Sequence, residues 1–167
     1  AIARYHDLMQ QELAPSTTAA VSSREGTHEL VFDRLFFENG DGQATDILHC
    51  TRPARLTADF HVTRPINNVR IRFEICSADN VVVLNLTANG LTESRQFEGK
   101  HRIAFSMEPL RLTSGWYYVN AIAVDTNIRL DTWNRAAEFR VLLQANDAML
   151  LTSDCGVYVC DGRWEIE

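Results

Sequence analysis

The sequence is nearly without lysine and has no excess of positive charge. Lys100 is the one lysine among sixteen basic residues, and the other fifteen are arginines. Acidic residues outnumber basic ones, 22 against 16, which gives a formal net charge of −6 and a pI near 5.3. Proteins that bind nucleic acid usually carry a basic stripe that displaces counterions from phosphate. The charge balance therefore argues against nucleic acid as a partner.

Cysteine is sparse and unevenly placed, at Cys50, Cys76, Cys155 and Cys160. Small secreted folds held by disulfides space their cysteines evenly and closely. We therefore expect reduced thiols and a cytoplasmic location. His49 stands beside Cys50, but no CxxC pair or HxxxH helix accompanies them. The sequence predicts neither a metal site nor a cofactor.

Long apolar runs are also missing, because no stretch approaches the ~20 residues that span a bilayer. The opening AIARYHDLMQQ is polar at helical spacing, so we expect a chain that is neither inserted nor exported. Residues 2–13 predict a short amphipathic helix that ends before Pro15. Residues 15–27 are small and polar and predict a flexible linker. We expect residues 1–27 to follow an upstream domain and residues 28–167 to form one domain.

From His28 onward, short runs rich in β-branched and aromatic residues alternate with Gly, Asn, Asp and Pro signals. This pattern predicts an all-β fold, an immunoglobulin-like antiparallel β-sandwich. The strand candidates are 29–38, 54–62, 68–76, 81–87, 100–107, 115–124 and 137–143. The segment 156–167 is either an eighth strand or a hairpin around Asp161-Gly162.

Side chains alternate between the two faces of a strand, so the pattern sorts a buried face from an outer one. Tyr117, Val119, Ala121 and Ala123 are predicted to face the core. In an immunoglobulin-like order, the third, fourth, sixth and seventh strands share a sheet. The outer face of that sheet would carry Arg70, Arg72, Glu74, Asn85, Trp116, Tyr118, Asn120 and Arg140.

A family resemblance runs through roughly residues 26–143. It is carried by HELVF at 28–32, NLTANG at 85–90, LRL at 110–112 leading to GWY at 115–117, LDTW at 130–133 and AEFRV at 137–141. These segments resemble the Wzt C-terminal domain, the carbohydrate-binding module of the ATP-binding subunit of ABC exporters. Those exporters move O-antigen polysaccharide across the inner membrane of Gram-negative bacteria. The resemblance implies a β-sandwich and places the family's G-x-Tyr tyrosine at Tyr117.

The resemblance also implies partners and a location. Such modules recognise the modified end of an undecaprenyl-linked glycan and dimerise with exchange of a C-terminal strand, for which 156–167 is the candidate. They reach the transmembrane subunit through a nucleotide-binding domain, which places them on the cytoplasmic side of the inner membrane. This chain has no GxxxxGK[ST] motif, so ATP hydrolysis is not assigned to it.

The eight outer residues supply aromatic rings and planar polar groups, the two devices that bind sugars. Three simpler interpretations stay open. Trp116 could cover the rim of the sandwich, Tyr118 and Asn120 could pack under the loop after Asp125, and the charged residues could be a solvated strand face. No GxSxG, Cys-His or metal-ligand pattern occurs, so we expect no enzyme. The alternative function is a structural module that dimerises the exporter.

Overall fold

The computed structural model describes residues 22–88, 95–142 and 162–166. Eleven β-strands lie within these ranges. They are β1 (Arg24–Glu25), β2 (Leu30–Asn39), β3 (Ala44–Thr45), β4 (Ile47–His49), β5 (Ala54–Ile66), β6 (Val69–Ser77), β7 (Val82–Thr87), β8 (Phe97–Met107), β9 (Gly115–Asp125), β10 (Ile128–Leu142) and β11 (Gly162–Ile166). The predicted helix within residues 1–13 lies outside the described residues.

The strands form two sheets that pack face to face. The first sheet has the order β1-β10-β9-β6-β7, and the second has the order β11-β8-β5-β2-β3. Neighbouring strands are antiparallel, except that β4 runs parallel to β10. The predicted all-β immunoglobulin-like sandwich is confirmed, and the four strands expected to share a sheet do share one.

The core lies between the two sheets and is built from the predicted alternation. Five phenylalanines from both sheets are completely or almost completely buried there: Phe32, Phe60, Phe73, Phe97 and Phe139. The Phe37 ring of β2 lies 4.3 Å from the Phe139 ring of β10 across the sandwich. Large aromatic side chains from facing strands therefore join the two layers.

The longest strand begins earlier than the pattern indicates. β10 starts at Ile128 rather than at 137, and its register against β9 shifts between Trp133 and Ala137. Arg135 lies in this bulge with a φ of +52°, a conformation that is uncommon for a residue with a side chain. A bulge interrupts the two-residue alternation of side chains. The residues before the bulge were therefore not recognised as part of the strand.

Both ends of the described chain join the sandwich through backbone pairing. Arg24 and Glu25 of β1 pair with Trp133 and Thr132 of β10, ahead of the boundary expected at residue 28. At the other end, β11 runs antiparallel to β8 and places Trp164 opposite Phe105. Within 156–167, the structure describes 162–166, and these residues form a strand.

Candidate functional site

The strand registers bring all eight predicted site residues to the outer face of the first sheet. Residues that pair directly on neighbouring antiparallel strands point to the same side. Arg140 pairs with Trp116, and Glu74 pairs with both Asn85 and Asn120. Tyr118, Arg70 and Arg72 occupy the same side in adjoining rows. We refer to this surface as the arginine face.

An open part of the arginine face lies on β6 and on β7, the edge strand of the sheet. The Nη2 atom of Arg72 lies 3.1 Å from Oε1 of Glu74, and 44% of the Arg72 side chain is exposed. Asn85 is exposed beside them and accepts a hydrogen bond from the Thr87 hydroxyl. An ion pair of this kind is loosely held in water, so its donors and acceptors remain available to a ligand.

One end of the arginine face combines an aromatic ring with a guanidinium. Trp116 is partly exposed at the start of β9. The guanidinium carbon of Arg140 lies 5.8 Å from the centre of the Trp116 ring, a cation–π arrangement. The indole therefore retains exposed surface beside a positive charge.

Tyr118 is on the arginine face but is 8% exposed. The guanidinium of Arg135 covers its ring at 4.2 Å, and its hydroxyl donates to Oδ1 of Asn80 at 2.9 Å. Burial raises the pKa of the Tyr118 phenol, and the neighbouring Cys76 raises it further. The ring is thus occupied by the protein's own side chains and offers no free surface to a sugar.

Asn120 and Arg70 are similarly committed to internal contacts. The Asn120 side-chain oxygen accepts the backbone N–H of Arg135 at 3.0 Å, and its amide nitrogen lies 3.6 Å from the Cys76 sulfur. Arg70 donates to the backbone carbonyl of Thr126 at 2.8 Å. Asn120 therefore links the β10 bulge to β9, and Arg70 links β6 to the turn between β9 and β10.

Cys76 and Arg135 show what alternation cannot detect. Strand alternation places Cys76 on the outer side of β6, where it pairs with Tyr118, yet it is only 2% exposed because its neighbours across the sheet cover it. Burial raises the pKa of its thiol.

Arg135, which strand alternation did not place on this face, contacts Tyr118, Asn120 and Glu138. The sequence offers one hint of its special position: Arg135 follows Asn134 in the segment between the strands predicted at 115–124 and 137–143.

Charge is unevenly distributed over the sheet. The arginine face carries five arginines at Arg70, Arg72, Arg129, Arg135 and Arg140, against three glutamates at Glu25, Glu74 and Glu138. This excess stands out in a chain whose net charge is −6. Such a surface attracts anionic groups, and its flat guanidinium groups can bind phosphate or carboxylate through paired hydrogen bonds.

Within the described ranges, no cluster of three or more His, Cys, Asp or Glu side chains could hold a metal ion. The same part of the chain contains no helix long and apolar enough to cross a membrane.

Two antiparallel sheets with this strand order define an immunoglobulin-like β-sandwich. The sequence matches the family model of the Wzt C-terminal domain over residues 21–152, and the chain belongs to that family. The crystal structure of the C-terminal domain of Wzt has a similar fold, with a TM-score of 0.63 and 15% sequence identity. The similarity covers 74% of this chain and 79% of that one. No protein with a curated function matches the chain.

The Wzt C-terminal domain family is associated with carbohydrate binding in ABC exporters and is a family of binding domains rather than a known enzyme fold. Wzt itself is the ATPase subunit of such an exporter. Family membership thus confirms the expected relationship to polysaccharide export.

Proposed function

We propose that the arginine face recognises the modified end of an undecaprenyl-linked O-antigen polysaccharide and so selects it for export, without catalysis. The observation that carries this proposal is the excess of arginine on one sheet of an otherwise acidic domain. Arg72, Glu74 and Asn85 are at least partly exposed toward the β7 edge of this face, and Trp116 is partly exposed at the start of β9. These residues combine hydrogen-bonding groups with an aromatic surface.

Each group has a separate role in this proposal. The exposed part of the Trp116 ring packs against the C–H patch of a pyranose, while Arg72, Glu74 and Asn85 exchange hydrogen bonds with hydroxyls. Each such bond replaces one to water and contributes only ~1 kcal/mol. A charged terminal group adds ion pairs with Arg72 and Arg140, which favours the chain end over internal repeats. Tyr118 and Asn120 support this surface from below rather than contact the glycan.

The module is proposed to act as a homodimer in which the last strand is exchanged between protomers. β11 pairs with β8 along one edge of the second sheet, and an exchanged strand would occupy that edge. Two modules in one assembly would bind a polysaccharide more tightly than one, because the second contact is intramolecular. Contact with the transmembrane subunit would pass through a nucleotide-binding domain, which places the module on the cytoplasmic side of the inner membrane.

The proposal is tested by calorimetric titration of the folded domain with O-polysaccharide from its own strain. The native domain is compared with Trp116→Ala and Arg72→Ala. Arg64→Ala is the matched control, because Arg64 is also exposed, also pairs with a glutamate, Glu29, and lies away from the arginine face. We expect both site variants to weaken binding of the intact glycan at least about tenfold, and the control to bind like the native domain.

Removal of the terminal cap from the glycan separates the two parts of the site. Arg72→Ala is expected to lose affinity chiefly for the capped glycan, and Trp116→Ala for both forms. A folded native domain that binds neither form would instead favour the structural dimerisation module.

A further inference from the structure

A second polar depression lies on the outer side of the second sheet, away from the arginine face. It has a volume of about 940 Å³. Its charged lining is formed by Asp33 of β2, Asp59 and His61 of β5, and Lys100 and Arg102 of β8. Pockets of this size hold small ligands or a few linked sugar residues.

Two breaks in the regular strand ladder border this depression. β2 is bulged between Phe32 and Arg34, and the extra residue is Asp33. The register of β5 against β8 shifts after Val62, where Gly99 has a φ of +78°. A Cβ built at Gly99 meets no atom within 4 Å, so this wall of the depression is open. Bulges commonly redirect a side chain.

The two carboxylates of the depression are held in place by basic partners. Nε and Nη2 of Arg102 lie 2.6 and 3.1 Å from the two oxygens of Asp59. Nδ1 of His61 lies 2.8 Å from Oδ1 of Asp33. Both carboxylates remain partly exposed, 28% for Asp59 and 43% for Asp33. They are therefore oriented in advance and still have acceptor sites that face solvent.

Lys100 completes the lining with a donor. The exposed Lys100 pairs with His61 across the strands and forms no ion pair with any other residue that the structure describes. The next residue, His101, pairs with the buried Phe60, and its ring contacts Phe60 and Phe97 on the inner side of the sheet, so it does not face the depression. The depression thus contains oriented acceptors and an exposed donor.

The charge balance of the depression differs from that of the arginine face. Two acidic side chains, Asp33 and Asp59, offset two basic ones, Lys100 and Arg102. No net field favours an anion here. Fixed acceptors next to the exposed ammonium group of Lys100 suit instead an uncharged ligand rich in hydroxyl groups.

We propose that this depression binds uncharged sugar residues within the polysaccharide, as a second subsite distinct from the arginine face. The inference rests on the proposed glycan-binding function. Asp33 and Asp59 accept hydrogen bonds from hydroxyl groups, and Lys100 donates one to a hydroxyl or ring oxygen. The arginine face then selects the chain end, and the depression adds affinity for the chain itself.

The test compares capped and uncapped O-polysaccharide of the same strain in calorimetric titrations. Lys100→Gln removes the exposed positive charge. The double variant Asp33→Asn with Lys100→Gln removes one charge of each sign, so the depression stays neutral. Arg64→Gln is the matched control, because it removes one exposed positive charge from a position outside both the depression and the arginine face. Equal unfolding midpoints establish that each variant is folded.

We expect the double variant to bind both glycans roughly tenfold more weakly, while the control binds as the native domain does. The inference is overturned if the double variant binds both glycans like the native domain while Trp116→Ala has lost affinity, a result that leaves the proposed function intact. A native domain that binds neither glycan overturns the proposed function and the second subsite together.

Discussion

Arg24 and Asp131 form an ion pair that fastens the first strand of the domain to its longest one. Nη2 of Arg24 lies 2.6 Å from Oδ2 of Asp131, and the Asp131 side chain is fully buried. The same carboxylate accepts the backbone N–H of Phe32 at 2.9 Å, and Arg24 also donates to the Phe32 carbonyl. The pair thereby connects β1 and β10 of the first sheet with β2 of the second.

Arg24→Gln is expected to destabilise the domain by about 3 kcal/mol, because it leaves a buried carboxylate without its cation. Arg129→Gln is the control: Arg129 joins the same two strands through Glu25 at 3.5 Å, but both side chains are exposed. That change should cost less than about 1 kcal/mol. Urea unfolding measures both, and equal losses in the two variants would show that burial of Asp131 is not what matters.

Gly26 follows β1 at a point where no side chain fits. Its φ is +142°, and an added Cβ would overlap the Leu130 carbonyl and lie 2.9 Å from the Asp131 nitrogen. Gly26→Ala should therefore lower the free energy of unfolding by about 2–4 kcal/mol. Gly42→Ala is the control, because Gly42 has a φ of +75° but open space around it, so only backbone strain is added. This change should lower the free energy of unfolding by about 1 kcal/mol. Similar losses at both sites in thermal unfolding would contradict the steric explanation.

Stability is expected to fall at alkaline pH. Burial raises the pKa of Cys76 above 9.0 and the pKa values of Tyr117 and Tyr118 above 10.0. These neutral groups stabilise the folded state fully below the unfolded-state pKa values, and the contribution is lost as pH rises through the folded-state values.

Tyr118→Phe tests this dependence, because it removes one titrating hydroxyl and keeps the ring under Arg135. Urea unfolding from about pH 7 to about pH 11 should show a shallower loss of stability for the variant than for the native domain. Parallel curves would show that Tyr118 titrates alike in the folded and unfolded states.

Trp164 anchors β11 to the core. Its ring lies 4.7 Å from the Phe105 ring and 6.2 Å from the Phe73 ring. Trp164→Ala should cost about 3 kcal/mol and detach the strand. If β11 is exchanged in a dimer, the unfolding midpoint of the native domain rises with protein concentration, and the variant sediments as a monomer. A native monomer with a concentration-independent midpoint would exclude the exchange.

The sequence was sufficient for the architecture because most strands keep a strict two-residue alternation. The inward positions of β5, β6 and β9 follow from that period, and so does the division of strands between sheets. The short strands β1, β3 and β4 were missed, because two or three residues carry no period. Their positions depend on pairing partners far away in the chain.

The sequence predicted which side of the sheet these side chains occupy, but not which of them are exposed to solvent. Alternation placed Trp116, Tyr118 and Asn120 on one side of β9, where the structure has them. It could not show that the bulge at Arg135 would bring a guanidinium over Tyr118 and a backbone N–H to Asn120. Contacts of this kind depend on three-dimensional packing rather than on local sequence.

The most direct test of glycan recognition is residue-level mapping of the bound polysaccharide. Amide resonances of the labelled domain would be followed by NMR as capped O-polysaccharide from its own strain is added. The account predicts the largest shifts at residues 72–74, 85, 116 and 140, with smaller ones around Asp33 and Lys100. A folded domain whose resonances on the arginine face do not move, even with polysaccharide in excess, would contradict it.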